Sequence, residues 1–354
     1  MHKFWNSDID PNKEHYKVLL KRGEFIDESR HNDDGSVRTI PYKIYHPVDH
    51  GNEKLPIVIW SHGFGGNRDG AGFLSRFIAG NGYIVVHITH YGTDSSLWEG
   101  KDGHPWDILR NTKVSRTTTM NRFKDIPFVI DQLEHWAKDN PEPGQWMDFE
   151  NIGMSGHSFG ALSTQVAAGQ MFGDADEKLA RLREPRIKAG ILYSPVPVAD
   201  HLLDKISDLG DTNIYDSIEI PLLHMTGTED DAPIGGAPYT HRLVVYEDSG
   251  HQEKYILVKD GADHMVYNGT RGKLDKNPMR EKHEEIIKIL SLAFWDAKLK
   301  HYKNAQLPVT YLRVKDDYGI SFLKHARKRT RDDSRYVLLY RLHFLVMQLK
   351  PSLF

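Results

Sequence analysis

A serine flanked by two glycines is the residue of this chain best suited to covalent chemistry. In the stretch Gly156-His157-Ser158-Phe159-Gly160, an apolar run precedes the first glycine and small residues follow the second. A tight turn from a strand into a helix crowds the positions two before and two after its central residue, so glycine is required there. Such a turn exposes the Ser158 hydroxyl at a helix N-terminus, where partial positive charge favours a developing oxyanion. The five residues alone also fit an ordinary glycine-rich loop, so the prediction of a nucleophile depends on its partners.

A serine nucleophile requires a general base, and the base requires an acid that orients it. On a strand–turn–helix of this kind, the partners follow along the chain in the order serine, acid, histidine. Asp230 stands at the tip of the turn after the predicted strand 220–227, and His264 follows the last predicted strand, 253–262. We therefore predict Asp230 as the acid and His264 as the base.

Other residues compete for both roles. Asp231 and Glu229 share the turn with the favoured aspartate, and Asp200 follows the preceding strand. His251 is the main alternative for the base, but it precedes the last strand and would lie at the opposite end of the sheet. The chain has 20 histidines, so position along the chain, rather than residue type, decides between them.

The oxyanion of a tetrahedral intermediate requires N–H donors. One donor is expected to be the backbone N–H of Phe159, the residue after the nucleophile. The second is expected in the segment 61–66, Ser-His-Gly-Phe-Gly-Gly, where glycine lets backbone amides turn inward. Phe64 is the predicted donor there, and the alternative for this segment is an ordinary strand-to-helix turn.

Four further side chains are candidates for the substrate pocket: His62, Trp98, Trp106 and His157. The two tryptophans belong to the long polar loop 91–118, and long structured loops are commonly functional. Together with the two phenylalanines of the oxyanion segments, they are predicted to form aromatic walls. For His62 a hydrogen bond that braces its loop is the favoured alternative, and for His157 the alternative is packing beneath the nucleophile.

Short aliphatic runs alternate with longer amphipathic stretches between residues 40 and 300, which predicts a mainly parallel sheet with crossover helices. The predicted strands are residues 37–47, 55–63, 82–90, 149–157, 186–195, 220–227 and 253–262. The predicted helices are residues 68–80, 119–138, 158–171 and 279–300. The link 195–219 is too short for a large lid domain, so we predict a single α/β domain with an open site.

Six motifs carry a resemblance to a known family: RTIPYKIYHP, IVIWSHGFGG, GYIVVHITHYGTDS, GHSFGA, TGTEDD and GADHMVY. Over residues 37–300 the chain resembles the serine α/β-hydrolases. Within them it resembles the branch of platelet-activating-factor acetylhydrolases and predicted dienelactone hydrolases, which lies near the cutinase-like polyester hydrolases. The resemblance implies an α/β-hydrolase fold, in which helices flank a mainly parallel central sheet. True dienelactone hydrolases use a cysteine nucleophile, which this chain lacks, and the loop 91–118 is longer than the family norm.

The resemblance maps the nucleophile, acid and base of the family onto Ser158, Asp230 and His264, and its oxyanion amides onto Phe64 and Phe159. It implies a carboxylic-ester hydrolase that works through an acyl-enzyme and needs no cofactor. Phospholipid acetylhydrolase, lipase, polyester hydrolase and thioesterase activities use the same triad and stay open. A non-catalytic small-molecule-binding homologue is the alternative from another class.

Composition restricts the partners. No pair of His, Asp or Glu residues has clear metal-ligand spacing, and SHGFGGNRDG matches neither phosphate-binding glycine pattern, so neither a metal nor a nucleotide is expected. The net charge of −3 and the lack of a basic, aromatic-rich module argue against nucleic acid. No run of 18 apolar residues predicts a transmembrane segment, and the N-terminus lacks the apolar core of a signal peptide, which favours a cytoplasmic location.

The C-terminal part of the chain differs from the rest in charge. Residues 301–354 hold 11 Lys and Arg against 4 Asp and Glu. We predict a catalytic domain over 1–300, with 1–36 as its lead-in, and a basic, helical extension over 301–354. Docking of this extension onto the body or onto a second subunit is the favoured role, and attachment to anionic lipid is the alternative.

Overall fold

The computed structural model describes residues 10, 12–174, 176–269 and 277–300, together with the backbone of residues 320–323. Its strands are β1 (Lys17–His31), β2 (Val37–Val48), β3 (Leu55–Ser61), β4 (Ile84–Ile88), β5 (Met147–His157), β6 (Met171–Gly173), β7 (Leu179–Arg181), β8 (Ile187–Tyr193), β9 (Leu222–Glu229), β10 (Lys254–Asp263) and β11 (Ile320–Leu323). Its helices are α1 (Gly72–Gly80), α2 (Pro105–Asn111), α3 (Arg116–Asp139), α4 (Pro141–Gly144), α5 (Phe159–Ala167), α6 (Asp200–Leu203), α7 (Leu243–Asp248) and α8 (Arg280–Lys298).

One large sheet organises the described part of the chain. Its strand order is β1-β2-β4-β3-β5-β8-β9-β10-β11, and β6 and β7 pair separately. The six strands from β4 to β10 in this order are parallel. Antiparallel strands close both edges, β1 and β2 on one side and β11 on the other. The carboxyl ends of the parallel strands therefore meet along one edge, where α/β proteins place their sites.

Helices cover both faces of the sheet, and β3 illustrates why its residues form a central strand. All seven of its residues are buried. Val58 and Trp60 pack on the face shared with α1 and α8, whereas Ile57 and Ile59 pack on the face shared with α3. Because successive side chains of a strand point to opposite faces, a strand covered on both faces must be apolar throughout.

The predicted mainly parallel sheet flanked by helices is confirmed, and every strand and helix predicted between residues 37 and 300 has a counterpart. Strand β1 was not predicted, because it lies at the sheet edge and most of its side chains face solvent. It turns part of the proposed lead-in 1–36 into a strand paired with β2. The short helices α2, α4, α6 and α7 were also missed, since four to seven residues are too few to show helical periodicity.

The first compact unit of the chain extends to Lys324 and includes β11. Residues 320–323 thus form a strand inside the extension that was predicted to be helical. The remainder of that extension, residues 301–319 and 324–354, lies outside the described residues. Within the described part of the chain, no helix is both long and apolar enough to cross a lipid bilayer.

Candidate active site

Ser158 occupies a strained turn between β5 and α5. Its backbone has φ 55° and ψ −117°, which non-glycine residues rarely adopt, and its N–H donates to the carbonyl of Tyr193 over 2.9 Å. A Cβ on Gly156 would lie 2.2 Å from the carbonyl oxygen of Gly160, and a Cβ on Gly160 would lie 1.9 Å from that of Ser61. The two glycines are therefore required by close backbone contact, as predicted for this turn.

His264 and Asp230 come from the loops that follow β10 and β9, and their side chains are bonded to each other. Nδ1 of His264 lies 2.7 Å from Oδ1 of Asp230. An ionised carboxylate can only accept, so Nδ1 carries the proton and the lone pair of Nε2 is free to act as a base. His264 is 7% exposed, whereas Asp230 is fully buried.

Three neighbours hold the Asp230 side chain in its ionised form. Ser194 and Thr226 donate their hydroxyls to Oδ2 over 2.7 and 2.8 Å, and Arg242 lies 3.1 Å from Oδ1. Burial raises the pKa of Asp230, but the hydrogen bond with His264, the positive charge of Arg242 and the hydrogen bond with Ser194 outweigh it and lower the pKa. The carboxylate is thus charged, oriented and shielded from water.

Arg242 is a site residue that the sequence did not predict. Its Nε donates to the backbone carbonyl of Asp230 over 2.7 Å, and one terminal nitrogen donates to the carbonyl of Pro195 over 3.0 Å. Its other terminal nitrogen lies 3.1 Å from Nδ1 of His264. It therefore joins the loop after β8 to the loop that carries Asp230, and it lies beside His264. No sequence motif marks it, because the carbonyls that it binds come from two separate loops.

His157 braces the histidine loop from beneath. Its Nε2 lies 2.8 Å from the backbone carbonyl of His264, and the two rings are 4.6 Å apart between centroids. Burial lowers the pKa of His157 well below its ordinary value, so the ring is neutral and donates through Nε2. This contact ties the residue before Ser158 to His264.

The loop after β3 brings Gly63, the residue before Phe64, close to Ser158. Within the described residues, Gly65 donates its N–H to Thr93 and Gly66 donates to Gly63, whereas the N–H of Phe64 has no protein acceptor. Phe159 is the first residue of α5, so its N–H has no partner within the helix either. The rings of the two phenylalanines are 6.4 Å apart.

A cavity of about 1160 Å³ opens at the carboxyl ends of the parallel strands. Ser158 and His264 both line it, as do Phe64 and Phe159. The loops after β3, β4, β5, β8, β9 and β10 all contribute to its walls. Its lining is mostly apolar, which is typical of a site for a small organic molecule.

Three of the four predicted pocket residues line this cavity, namely Trp98, Trp106 and His157. The prediction for His62 is wrong, because its side chain is fully buried and absent from the lining. Its Nε2 accepts the N–H of His90 over 2.9 Å, and its Nδ1 donates to the carbonyl of Gly63 over 2.7 Å. His62 thus braces the loop, which was the alternative considered for it.

The competing residues make no hydrogen bond with Asp230 or His264 in the described part of the chain. Asp231 is exposed and accepts the N–H of Tyr239, and Glu229 lines the cavity at the end of β9. Asp200 is exposed on α6, and His251 accepts the N–H of Glu253 before β10 begins. In the described part of the chain, no group of three or more His, Asp or Glu side chains is arranged to bind a metal ion.

Comparison with known proteins places this architecture in a class. A ferulic acid esterase from Streptomyces cinnamoneus matches with a TM-score of 0.56 at 16% sequence identity, over 83% of this chain and 93% of that chain. At this identity the likeness establishes the fold, which is the α/β-hydrolase fold that the sequence predicted.

A family model gives a more particular, local similarity. Residues 30–99 match the family described as platelet-activating factor acetylhydrolase, isoform II. The matched stretch contains β2, β3, α1, β4 and the loop with Phe64, but it ends before Ser158. No curated protein sequence matches the chain significantly.

Proposed function

We propose that this protein is a serine hydrolase of carboxylic esters, with Ser158 as nucleophile, His264 as base and Asp230 as orienting acid. One observation carries the proposal: the strained serine turn and the histidine bonded to a buried aspartate line the same cavity. The local match to an acetylhydrolase family and the fold of an esterase support the choice of an ester bond.

Acylation begins when the ester carbonyl enters the cavity above Ser158. Nε2 of His264 takes the hydroxyl proton as Oγ attacks the carbonyl carbon. Asp230 keeps the proton on Nδ1 and stabilises the imidazolium that forms. The imidazolium then protonates the leaving alcohol, and the acyl group remains on Ser158 as an ester.

Deacylation repeats these steps with water. His264 removes a proton from the water as it attacks the acyl carbon, and then returns the proton to Oγ as the acid product leaves. In both halves the negative oxygen of the tetrahedral intermediate accepts the N–H groups of Phe64 and Phe159. A single donor of this kind is typically worth about 3–4 kcal/mol in the transition state.

The cavity walls indicate the kind of ester. Apolar and aromatic side chains dominate, among them Trp98, Trp106, Phe64, Val196 and Ile234. Burial of apolar surface contributes about 25 cal/mol per Å² to binding. We therefore expect esters with a sizeable apolar group to bind better than small or charged ones.

The decisive experiment compares wild type with Ser158→Ala on p-nitrophenyl esters and thioesters of increasing acyl length. We expect wild type to hydrolyse the esters, with a KM that falls as the chain grows to fill the cavity. Ser158→Ala should be inactive while its circular dichroism and thermal midpoint stay close to those of wild type.

Turnover by folded Ser158→Ala would disprove the mechanism. Inactive wild type that binds esters, but forms no adduct with a fluorophosphonate, would instead favour the non-catalytic binding homologue. A preference for thioesters would change the substrate and leave the nucleophile as proposed.

A further inference from the structure

A buried guanidinium lies beneath the site and outside the cavity. Arg122 is in the first half of α3, and its side chain is fully buried. It is not part of the cavity lining. Burial of an arginine is expensive unless its donors are satisfied, so its contacts indicate what the charge is for.

Arg122 holds the loop after β3. One terminal nitrogen donates to the carbonyl of His62 and, over 3.0 Å, to Oγ of Ser61. The other donates to Oγ1 of Thr93 over 2.7 Å. Thr93 is the residue whose carbonyl accepts the N–H of Gly65. The guanidinium thus binds the loop around Phe64 at two points. It contacts Ser61 and His62 directly, and it contacts Gly65 through Thr93.

Hydrogen bonds to the carbonyls of His62 and Gly63 orient the peptide that carries the Phe64 N–H. The carbonyl of Gly63 accepts both Nδ1 of His62 and the N–H of Gly66. In a trans peptide the C=O and the following N–H point in opposite directions. Fixing the Gly63 carbonyl therefore turns the Phe64 N–H to the other side, and the His62 carbonyl bound by Arg122 fixes the start of the same turn.

The same guanidinium also holds Phe159. Its central carbon lies 4.4 Å from the centroid of the Phe159 ring, a cation–π contact. Its Nε donates to Oγ of Ser163 over 2.8 Å, and this hydroxyl donates to the carbonyl of Phe159 over 3.1 Å. One side chain is therefore bonded to both segments that supply the oxyanion amides.

A buried carboxylate lies near Arg122 on the same helix. Asp125, one turn along α3, binds Arg38 through two nitrogens and lies 2.8 Å from Nδ1 of His90. Burial raises the pKa of Asp125, but His90 and Arg38 outweigh it and lower the pKa to about 2. His90 in turn bonds Oγ of Ser61 over 2.9 Å. This second chain of bonds ends at Ser61, the hydroxyl that also accepts from Arg122.

We propose that Arg122 is a positioning residue that sets the geometry of both oxyanion amides, those of Phe64 and Phe159, without touching substrate. The inference rests on the proposed function, since it assigns a role within that mechanism. An arginine is needed because four acceptors in three segments must be bound at once, which the planar fork of a guanidinium allows and a lysine does not.

The test compares Arg122→Met and Arg122→Lys with wild type and with Arg116→Met. Arg116 is the control, because it begins the same helix α3 and donates to a backbone carbonyl, that of Gly173 over 2.8 Å, but contacts neither His62 nor Phe159. Active sites are counted by titration with a fluorophosphonate, so that kcat refers to folded protein. The inhibition constant of an alkyl trifluoromethyl ketone, which forms a tetrahedral oxyanion on serine, reports on the transition state.

We expect Arg122→Met to lower kcat per titrated site by about 10- to 100-fold, with KM within about threefold of wild type. The ketone should bind more weakly by the same factor, and Arg122→Lys should fall between. Arg116→Met should keep kcat per site within about threefold. These relations distinguish loss of transition-state binding from loss of folded enzyme.

Unchanged kcat per site in both Arg122 variants, or an equal loss in Arg116→Met, would overturn the inference. If Arg122→Met does not fold, the test rests on Arg122→Lys. The inference then requires that its ketone affinity and its kcat per site fall by the same factor. The proposed function is tested separately, because its failure would appear as full activity of Ser158→Ala in the same assay.

Discussion

Two adjacent aspartates show how the surroundings of a residue decide its chemistry. Asp230 is fully buried, bonded to His264, Ser194 and Thr226, and its pKa is lowered. Asp231 is exposed and binds only the N–H of Tyr239 among the described contacts. Only the first is bonded to the imidazole and so holds its tautomer, since the second carboxylate is exposed and bonded to Tyr239.

Asp230→Asn should reduce kcat/KM by about 10⁴-fold, because an amide in place of the carboxylate favours the wrong tautomer of His264. Asp231→Asn should change kcat/KM by less than about threefold, since it removes one exposed backbone contact. Steady-state kinetics on a p-nitrophenyl ester, with thermal midpoints as the folding control, measures both. A severe loss in Asp231→Asn with a mild one in Asp230→Asn would move the acid by one residue.

Central strands carry neutral histidines that have no part in the proposed chemistry. His87 on β4 and His224 on β9 are fully buried, and burial lowers their pKa to about 3 and about 4. His87 is bonded to Ser75 and to the carbonyl of Arg68, and His224 to the carbonyl of Tyr255. These side chains occupy buried strand positions as neutral rings, each with a hydrogen bond. Acid therefore destabilises the fold by protonating these histidines in the unfolded chain.

Stability should fall as the pH drops from about 6.5 toward 4, because the unfolded chain binds protons at these histidines and the folded chain does not. The pKa of His224 is about 4 in the folded protein and has its ordinary value of 6.5 in the unfolded chain. The contribution of His224 to the free energy of unfolding should therefore fall by up to about 2 kcal/mol between pH 7 and pH 5. The variant His224→Asn should reduce this loss, as measured by urea unfolding at both pH values. The exposed His135 on α3 is the control, and His135→Asn should leave the pH dependence unchanged. Equal pH dependence in wild type and His224→Asn would contradict this reasoning.

At the scale of the whole molecule, the edges of the sheet are covered by strands from distant parts of the chain. At one edge β1 pairs with β2. At the other edge β11 pairs with β10 from Ile256 to Lys259. An unpaired strand edge is a template for association with other chains. The compact unit ends at Lys324, just after β11.

A chain that ends at Lys324 should keep the activity and thermal midpoint of the full chain. A chain that ends at Lys300 lacks β11 and leaves the edge of β10 open, so we expect a lower midpoint and larger species by light scattering. Identical behaviour of the two truncated chains would show that β11 does not protect this edge.

Local physics explains what was predictable from the sequence. Apolar runs identify the central strands, because a strand covered on both faces must be apolar along its length. The spacing of Gly156 and Gly160 identifies the serine turn, since a single Cβ there would collide with backbone. Ser158, Asp230 and His264 lie at one edge because the parallel topology brings the carboxyl ends of β5, β9 and β10 together.

The remaining features depend on contacts between residues far apart in sequence, and only the tertiary structure could decide them. Arg122 reaches His62 across 60 positions, and Arg242 reaches Ser194 across 48. His62 itself turned inward rather than to the cavity, because the N–H of His90, 28 positions later, needed its Nε2 as acceptor. Periodicity and glycine spacing report the sterics of neighbouring residues, whereas the satisfaction of a buried charge or N–H depends on whichever segments the fold brings beside it.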